Sequence, residues 1–300
     1  MKRWISLLMI LLILSPVYSV EAKSPEVYIP LGDSLAAGQT PNMAIDAGYT
    51  DLISQELKRA NLLGFYSKGL AFPGYTTSDV LKTVQSTEAK ELLANATLVT
   101  ISAGANDLLR LVQVKPASGM VAYSQVSANF ALNNVRKNMQ EIITEVQATA
   151  PKAKIYVMGY YFAYPHVHES QKEGVGKELD KLHTILQTVA EQNGATYISV
   201  DESFDGKEKE LVPSVGDVHP TLEGYRQMAN SFFSKYNSRM LVYEHELPKP
   251  NPLTFEELIE NRNQSNNGST QTQANALPIN RYLSFTNGNY IAVVLQRILS

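Results

Sequence analysis

Short apolar runs alternate with helical stripes along most of the chain. Val27 to Leu31, Leu62 to Tyr66, Leu98 to Ser102, Lys154 to Gly159 and Ala195 to Val200 are compact, largely apolar runs that end in polar or glycine-bearing stretches, and they read as strands. Between them the period changes. Asp46 to Ala60 reads as a helix, and Leu132, Val135, Met139, Ile142, Ile143 and Val146 form one face of a long helix that stops before Pro151. Leu179, Leu182, Leu186 and Val189 form another such face, closed by Asn193-Gly194. Leu222, Tyr225, Ala229, Phe232 and Tyr236 form the last, behind Thr221 as N-cap. Strand–helix alternation predicts an α/β domain, a parallel sheet covered by helices on both faces, from Lys23 to about His245.

Both ends depart from this pattern. Lys2 and Arg3 precede an apolar run from Ile5 to Leu14 that Pro16 cuts off, and Val20-Glu21-Ala22 offers small residues for cleavage, so residues 1–22 read as a signal peptide and the chain as exported. The run is short of the roughly 20 residues that a membrane span needs. Beyond the domain, Pro248, Pro250 and Pro252 give way to a tract from Asn261 to Asn275 rich in Asn, Gln, Ser and Thr, so 246–276 reads as a linker. Residues 277–300 carry two apolar runs around Asn287-Gly288, a hairpin signal. A lone hairpin is marginal in water, which leaves docking and disorder open for this tail.

Composition then removes whole classes of chemistry. The 300 residues contain no cysteine, which excludes thiol catalysis, disulfides, lipoprotein attachment and Cys-ligated metals. A net charge of −3, without clustered Lys and Arg, argues against nucleic acid as a partner. No Gly-x-Gly-x-x-Gly or P-loop is present, and the Gly-x-Ser-x-Gly elbow is absent at Ser34.

What remains is oxygen and nitrogen chemistry, concentrated in the loops. Ser34, in Gly32-Asp33-Ser34-Leu35, follows the first strand, where open α/β sheets place ligands and catalytic groups. A serine hydroxyl needs a base, and the base needs a partner that fixes its tautomer. His219, in Gly216-Asp217-Val218-His219-Pro220, lies just ahead of the last helix, and a parallel sheet brings it to the edge that carries Ser34; Asp217 is placed to orient it. Each motif alone has a plainer explanation: a turn at Gly32-Asp33-Ser34, a helix cap at Asn106-Asp107, a loop histidine at His219. Their joint placement on one sheet edge favours the serine-hydrolase reading.

These motifs resemble the GDSL or SGNH hydrolases, block by block and in family order. Gly32-Asp33-Ser34-Leu35 matches the first block, Gly74 in Phe72-Pro73-Gly74-Tyr75-Thr76-Thr77 the second, Gly104-Ala105-Asn106-Asp107 the third, and Asp217 to Pro220 the fifth. The resemblance spans Val27 to Tyr236 and implies a three-layer αβα sandwich on a mainly parallel, flavodoxin-like sheet. It also implies an oxyanion hole formed by the Ser34 and Gly74 N–H groups and the Asn106 amide. Two departures stand out. The family's acid lies three residues before the histidine, where this chain has Gly216, so a backbone carbonyl competes with Asp217 for the role. The second block's spacing is loose, so that Gly69 competes with Gly74.

The reading is therefore an exported carboxylic ester hydrolase that needs no metal or organic cofactor and acts on a small-molecule or lipid ester, with transient contact to a membrane or cell-wall surface. Carbohydrate O-acetylesterase, acyltransferase and a non-catalytic surface-binding role are the alternatives. Tyr160, Tyr161, Phe162 and Tyr164 follow a strand near the same edge; Tyr161 and Phe162 are candidates for an acyl pocket, and core packing is the competing role. His166 and His168 alternate as metal ligands would, but without a further cluster they read as loop residues.

Overall fold

The computed structural model describes residues 24–252 except 42, 116 and 117, together with 254 and 257. The expected leader, most of the linker and the hairpin-like tail lie outside the described residues. The first strand makes one extended pass in two halves, β1 (Glu26–Tyr28) and β2 (Leu31–Gly32), parted at Ile29-Pro30, where proline has no N–H for the ladder. The one-turn helix α1 (Ser34–Ala37) and the amphipathic α2 (Tyr49–Arg59) follow, and then a second divided pass, β3 (Leu63–Tyr66) and β4 (Leu70–Ala71).

The helices α3 (Thr77–Gln85) and α4 (Thr87–Leu93) lead into the fully buried β5 (Leu98–Ser102) and the short α5 (Ala105–Leu109). An antiparallel hairpin, β6 (Gln113–Lys115) and β7 (Met120–Ala122), stands apart from the main sheet. The remaining strands and α-helices among the described residues are α6 (Gln125–Thr149), β8 (Lys154–Met158), α7 (Glu169–Gln192), β9 (Thr196–Ile198), α8 (Glu208–Leu211) and α9 (Leu222–Tyr236).

Every neighbour in the main sheet is parallel. The order runs β3/β4, β1/β2, β5, β8, β9, so the five passes stand 2-1-3-4-5 as in a flavodoxin-like sheet. α2 packs with α9 on one face, while α3, α6 and α7 pack side by side on the other. All six apolar residues expected to line α6 are buried, as are Leu182, Leu186 and Val189 of α7 and Tyr225, Ala229 and Phe232 of α9. The three-layer fold expected from the sequence is the fold observed.

This topology determines where chemistry can occur. Leu31 pairs with Ile101 and Gly32 with Ser102, so the first and third passes end level. Their helices then leave toward opposite faces, which opens a crevice at the carboxyl edge. Ser34 and Asn106 occupy its two lips.

Beyond the short helices α1, α5 and α8, two longer stretches are absent from the sequence reading. α3 and α4 fill the stretch between Thr77 and Leu93, and the β6–β7 hairpin fills 113–122. For the hairpin a signal existed: Pro116-Ala117-Ser118-Gly119 is turn-forming sequence between Val114 and Val121, but the flanking runs are only three residues long.

Candidate active site

The turn that carries Ser34, the candidate nucleophile, is built on Gly32. Its φ is +138°, and a Cβ there would lie 2.0 Å from the Ser102 carbonyl oxygen, so only glycine lets the first pass lie this close to β5. Asp33 N–H then donates to Ser102 O at 2.9 Å, and the Asp33 carboxylate accepts from Leu35 N–H at 3.0 Å, capping α1. Ser34 is thereby the first residue of a helix that starts abruptly out of a strand. Its hydroxyl points to His219, with 2.7 Å between Oγ and Nε2.

His219 is held from its other ring nitrogen. Asp217 Oδ1 bonds both the His219 backbone N–H, at 2.9 Å, and the ring Nδ1. One oxygen thus closes a local turn and fixes the tautomer that leaves Nε2 to accept the Ser34 proton. The two-residue spacing, short by the family pattern, is what makes this double use geometrically natural. Tyr161 supports the loop from below: its hydroxyl donates to Val218 O at 2.7 Å, and its ring stacks on Phe204 at 4.4 Å.

Asn106 stands on the opposite lip, in the first turn of α5. Its Nδ2 donates to Tyr75 O at 2.9 Å, which sets the amide's orientation and leaves a second N–H, while the residue lines the cavity beside Ser34. Asp107 accepts from both Thr77 N–H at 2.9 Å and Thr77 Oγ1 at 2.7 Å, while burial pushes its carboxyl above the usual range. Arg110 donates to Gly74 O. Two residues of α5 and Arg110 at its C-terminal end therefore clamp the loop that carries Gly74. Gly74 itself is exposed, with φ +77°, and a Cβ there would meet nothing within 4 Å; the turn demands the glycine, not crowding. If the Asn106 amide faces the developing oxyanion, Asn106→Ala is expected to lower kcat by roughly 10²–10³-fold with little change in KM. Steady-state kinetics on a chromogenic ester tests this, and unchanged turnover removes the residue from the site.

From this point an apolar cavity runs away from Ser34 and His219. Leu108, Leu111 and Val112 after β5, Val121 of the hairpin, and Leu179 and Leu182 of α7 form its walls. Tyr160, Tyr161, Phe162 and Tyr164 all reach it, so the aromatics after β8 border the cavity, and Tyr160 and Tyr161 are buried in the core as well. Tyr160 and Tyr161 thus combine core packing with a place in the cavity lining, while Phe162 and Tyr164 line it from partly exposed positions. His166 and His168 do local work: His166 Nε2 meets Val212 O at 3.1 Å, and His168 caps α7 through Ser170.

Sequence reasoning passed over Asp33, Ser102 and Tyr160 as a group. The Tyr160 hydroxyl donates to Asp33 Oδ2 at 2.7 Å and the Ser102 hydroxyl to Oδ1 at 2.9 Å, contacts made across 127 and 69 residues of chain. No local pattern announces such pairs.

The fold and this arrangement at its switch point define the class of protein, a carboxylic ester hydrolase. Comparison places it further: the chain belongs to the GDSL-like lipase/acylhydrolase family, whose family model matches residues 31–227. It is 23% identical over 211 residues to the spore germination lipase of Bacillus licheniformis, a match covering 67% of this chain and 92% of that one. Among solved structures it is similar to a lipase from a goat rumen metagenome, with TM-score 0.56 and 20% identity, covering 70% of this chain and 96% of that one. It is also similar to an acetylxylan esterase from Geobacillus stearothermophilus, with TM-score 0.54 and 17% identity, covering 73% and 97%.

Proposed function

We propose that this chain is an exported acylhydrolase that releases apolar acyl chains from carboxylic esters through an acyl-serine intermediate. The observation that carries this reading is the Ser34–His219 contact of 2.7 Å at the mouth of a cavity walled by aliphatic side chains. His219 Nε2 takes the hydroxyl proton as Ser34 Oγ bonds to the ester carbon, and Asp217 balances the imidazolium. The carbonyl oxygen becomes an oxyanion facing the Asn106 amide and the N–H groups of Ser34 and Gly74. Collapse breaks the bond to the alcohol oxygen, which leaves with the proton from His219. Water then enters, loses a proton to the same nitrogen and attacks the acyl carbon; collapse breaks the bond to Ser34 Oγ, which takes the proton back from His219 as the acid leaves. Export rests on the basic start, apolar run and small residues of 1–22.

The cavity also bears on the acyl group. An acetyl moiety would reach few of the aliphatic walls beyond the mouth, whereas a longer chain replaces water along them, at about 0.8 kcal/mol per buried CH₂. The expected optimum in a p-nitrophenyl series from acetate to palmitate therefore lies beyond acetate. Narrowing the cavity with Val121→Phe is expected to shift that optimum toward shorter chains, with acetate turnover kept. Activity confined to acetate, in wild type and variant alike, favours the carbohydrate O-acetylesterase reading. Transfer of the acyl group to an added alcohol, seen by product analysis, favours the acyltransferase.

A further inference from the structure

The carboxyl group directly before the nucleophile takes no part in the steps above. Asp33 is only 1% exposed, and its acceptor directions end on donors from three different elements: Leu35 N–H, the Ser102 hydroxyl and the Tyr160 hydroxyl. Capping α1 requires only the first of these, and a neutral Ser, Thr or Asn would supply it. A carboxylate buried among neutral donors is costly by comparison. Burial pushes Asp33 up to about 6, against the pull of its three hydrogen bonds and of nearby His219. The other titratable groups that face it are Tyr160 and Tyr161 after β8, Tyr49 of α2 and Tyr225 of α9, with Asp217 on the far side of His219. Of all these, His219 is the one that becomes a cation during the reaction.

We propose that Asp33 is a second anion of the site, a positioning residue whose charge favours the His219 imidazolium while its three hydrogen bonds lock the turn that presents Ser34. This rests on the acyl-serine reading above. In the step concerned the proton moves from Ser34 Oγ to His219 Nε2, and Asp33 keeps its own protonation throughout. Such an arrangement sacrifices stability for function at the same residue. The raised carboxyl favours folding fully below about 3.8, and that contribution is lost as pH rises through about 6.

The test uses the rate at which a fluorophosphonate labels Ser34, followed across pH in wild type, Asp33→Asn and Tyr160→Phe, beside ester kinetics and urea midpoints. Asp33→Asn keeps the cap oxygen and removes the charge. It is expected to label roughly tenfold more slowly or worse, with KM within about twofold of wild type by the same measure. Its urea midpoint should match wild type near pH 4 and exceed it increasingly toward pH 7. Tyr160→Phe keeps the charge but removes one bond that holds the carboxylate ionised, so the acid limb of labelling should move to higher pH. If both variants label at the wild-type rate with an unmoved acid limb, Asp33 is a structural cap and the inference is wrong while the acyl-serine reading stands. Wild type that resists labelling overturns that reading as well. Should Asp33→Asn fail to fold, the acid limb of Tyr160→Phe decides the matter.

Discussion

Replacing Ser34 with alanine is expected to lower kcat on p-nitrophenyl esters by roughly four to six orders of magnitude, with KM nearly unchanged. The expectation follows from the geometry of the turn. Ser34 Oγ is the atom that Nε2 of His219 meets at 2.7 Å, and an acyl chain in the aliphatic cavity brings its carbonyl carbon to the mouth where that oxygen stands. Alanine removes the atom that forms the covalent bond and leaves the cavity walls intact, so binding persists while the acyl-enzyme cannot form. The backbone should tolerate the change, because the α1 cap is made by Asp33 and the strand pairing by Gly32 and Asp33. Steady-state kinetics with circular dichroism checks both halves. A variant that stays folded and retains more than a small fraction of turnover would place the nucleophile elsewhere.

The second large effect is expected at Asp217. Its Oδ1 bonds two N–H groups of His219, one on the backbone and one on the ring. In Asp217→Asn the amide oxygen can keep both bonds, so the histidine retains its tautomer but loses the charge that balances its imidazolium. A fall in kcat of roughly 10²–10⁴-fold is expected, below the loss at Ser34 and without a matching rise in KM. Asp217→Ala removes the anchor as well and should lie at the upper end of that range. Phosphonate labelling of the remaining active fraction separates a disabled base from a misfolded site. A loss under about tenfold in both variants would assign the orienting role to another group, such as the backbone carbonyl that the sequence left open.

Much of the molecule was legible because its signals are local or periodic. A buried strand such as Leu98–Ser102 declares itself by composition, and a helix such as α6 by six apolar residues on one face. The order of the loops put Ser34 and His219 on one edge, since all strands of a parallel sheet end on the same side. Elements lacking a strong period escaped. α3 and α4 bury only short stripes, Thr77, Val80 and Val84 in one and Ala89 and Leu93 in the other, and β6 and β7 are three residues each.

The sequence by itself therefore determined the α/β class, pointed to Ser34 and His219 as candidate nucleophile and base, and excluded cysteine chemistry. Only the tertiary structure decided between Asp217 and a carbonyl as the partner of Nδ1, stapled the Gly74 loop to α5 and its C-terminal end through Thr77, Asp107 and Arg110, and gathered Asp33, Ser102 and Tyr160 into one buried cluster. It alone formed the apolar cavity, whose walls come from α5, a hairpin, the loop after β8 and α7. The physical reason is that periodicity records which face of an element turns inward. Which side chains meet there depends on crossover and register, and those are settled only when the elements pack.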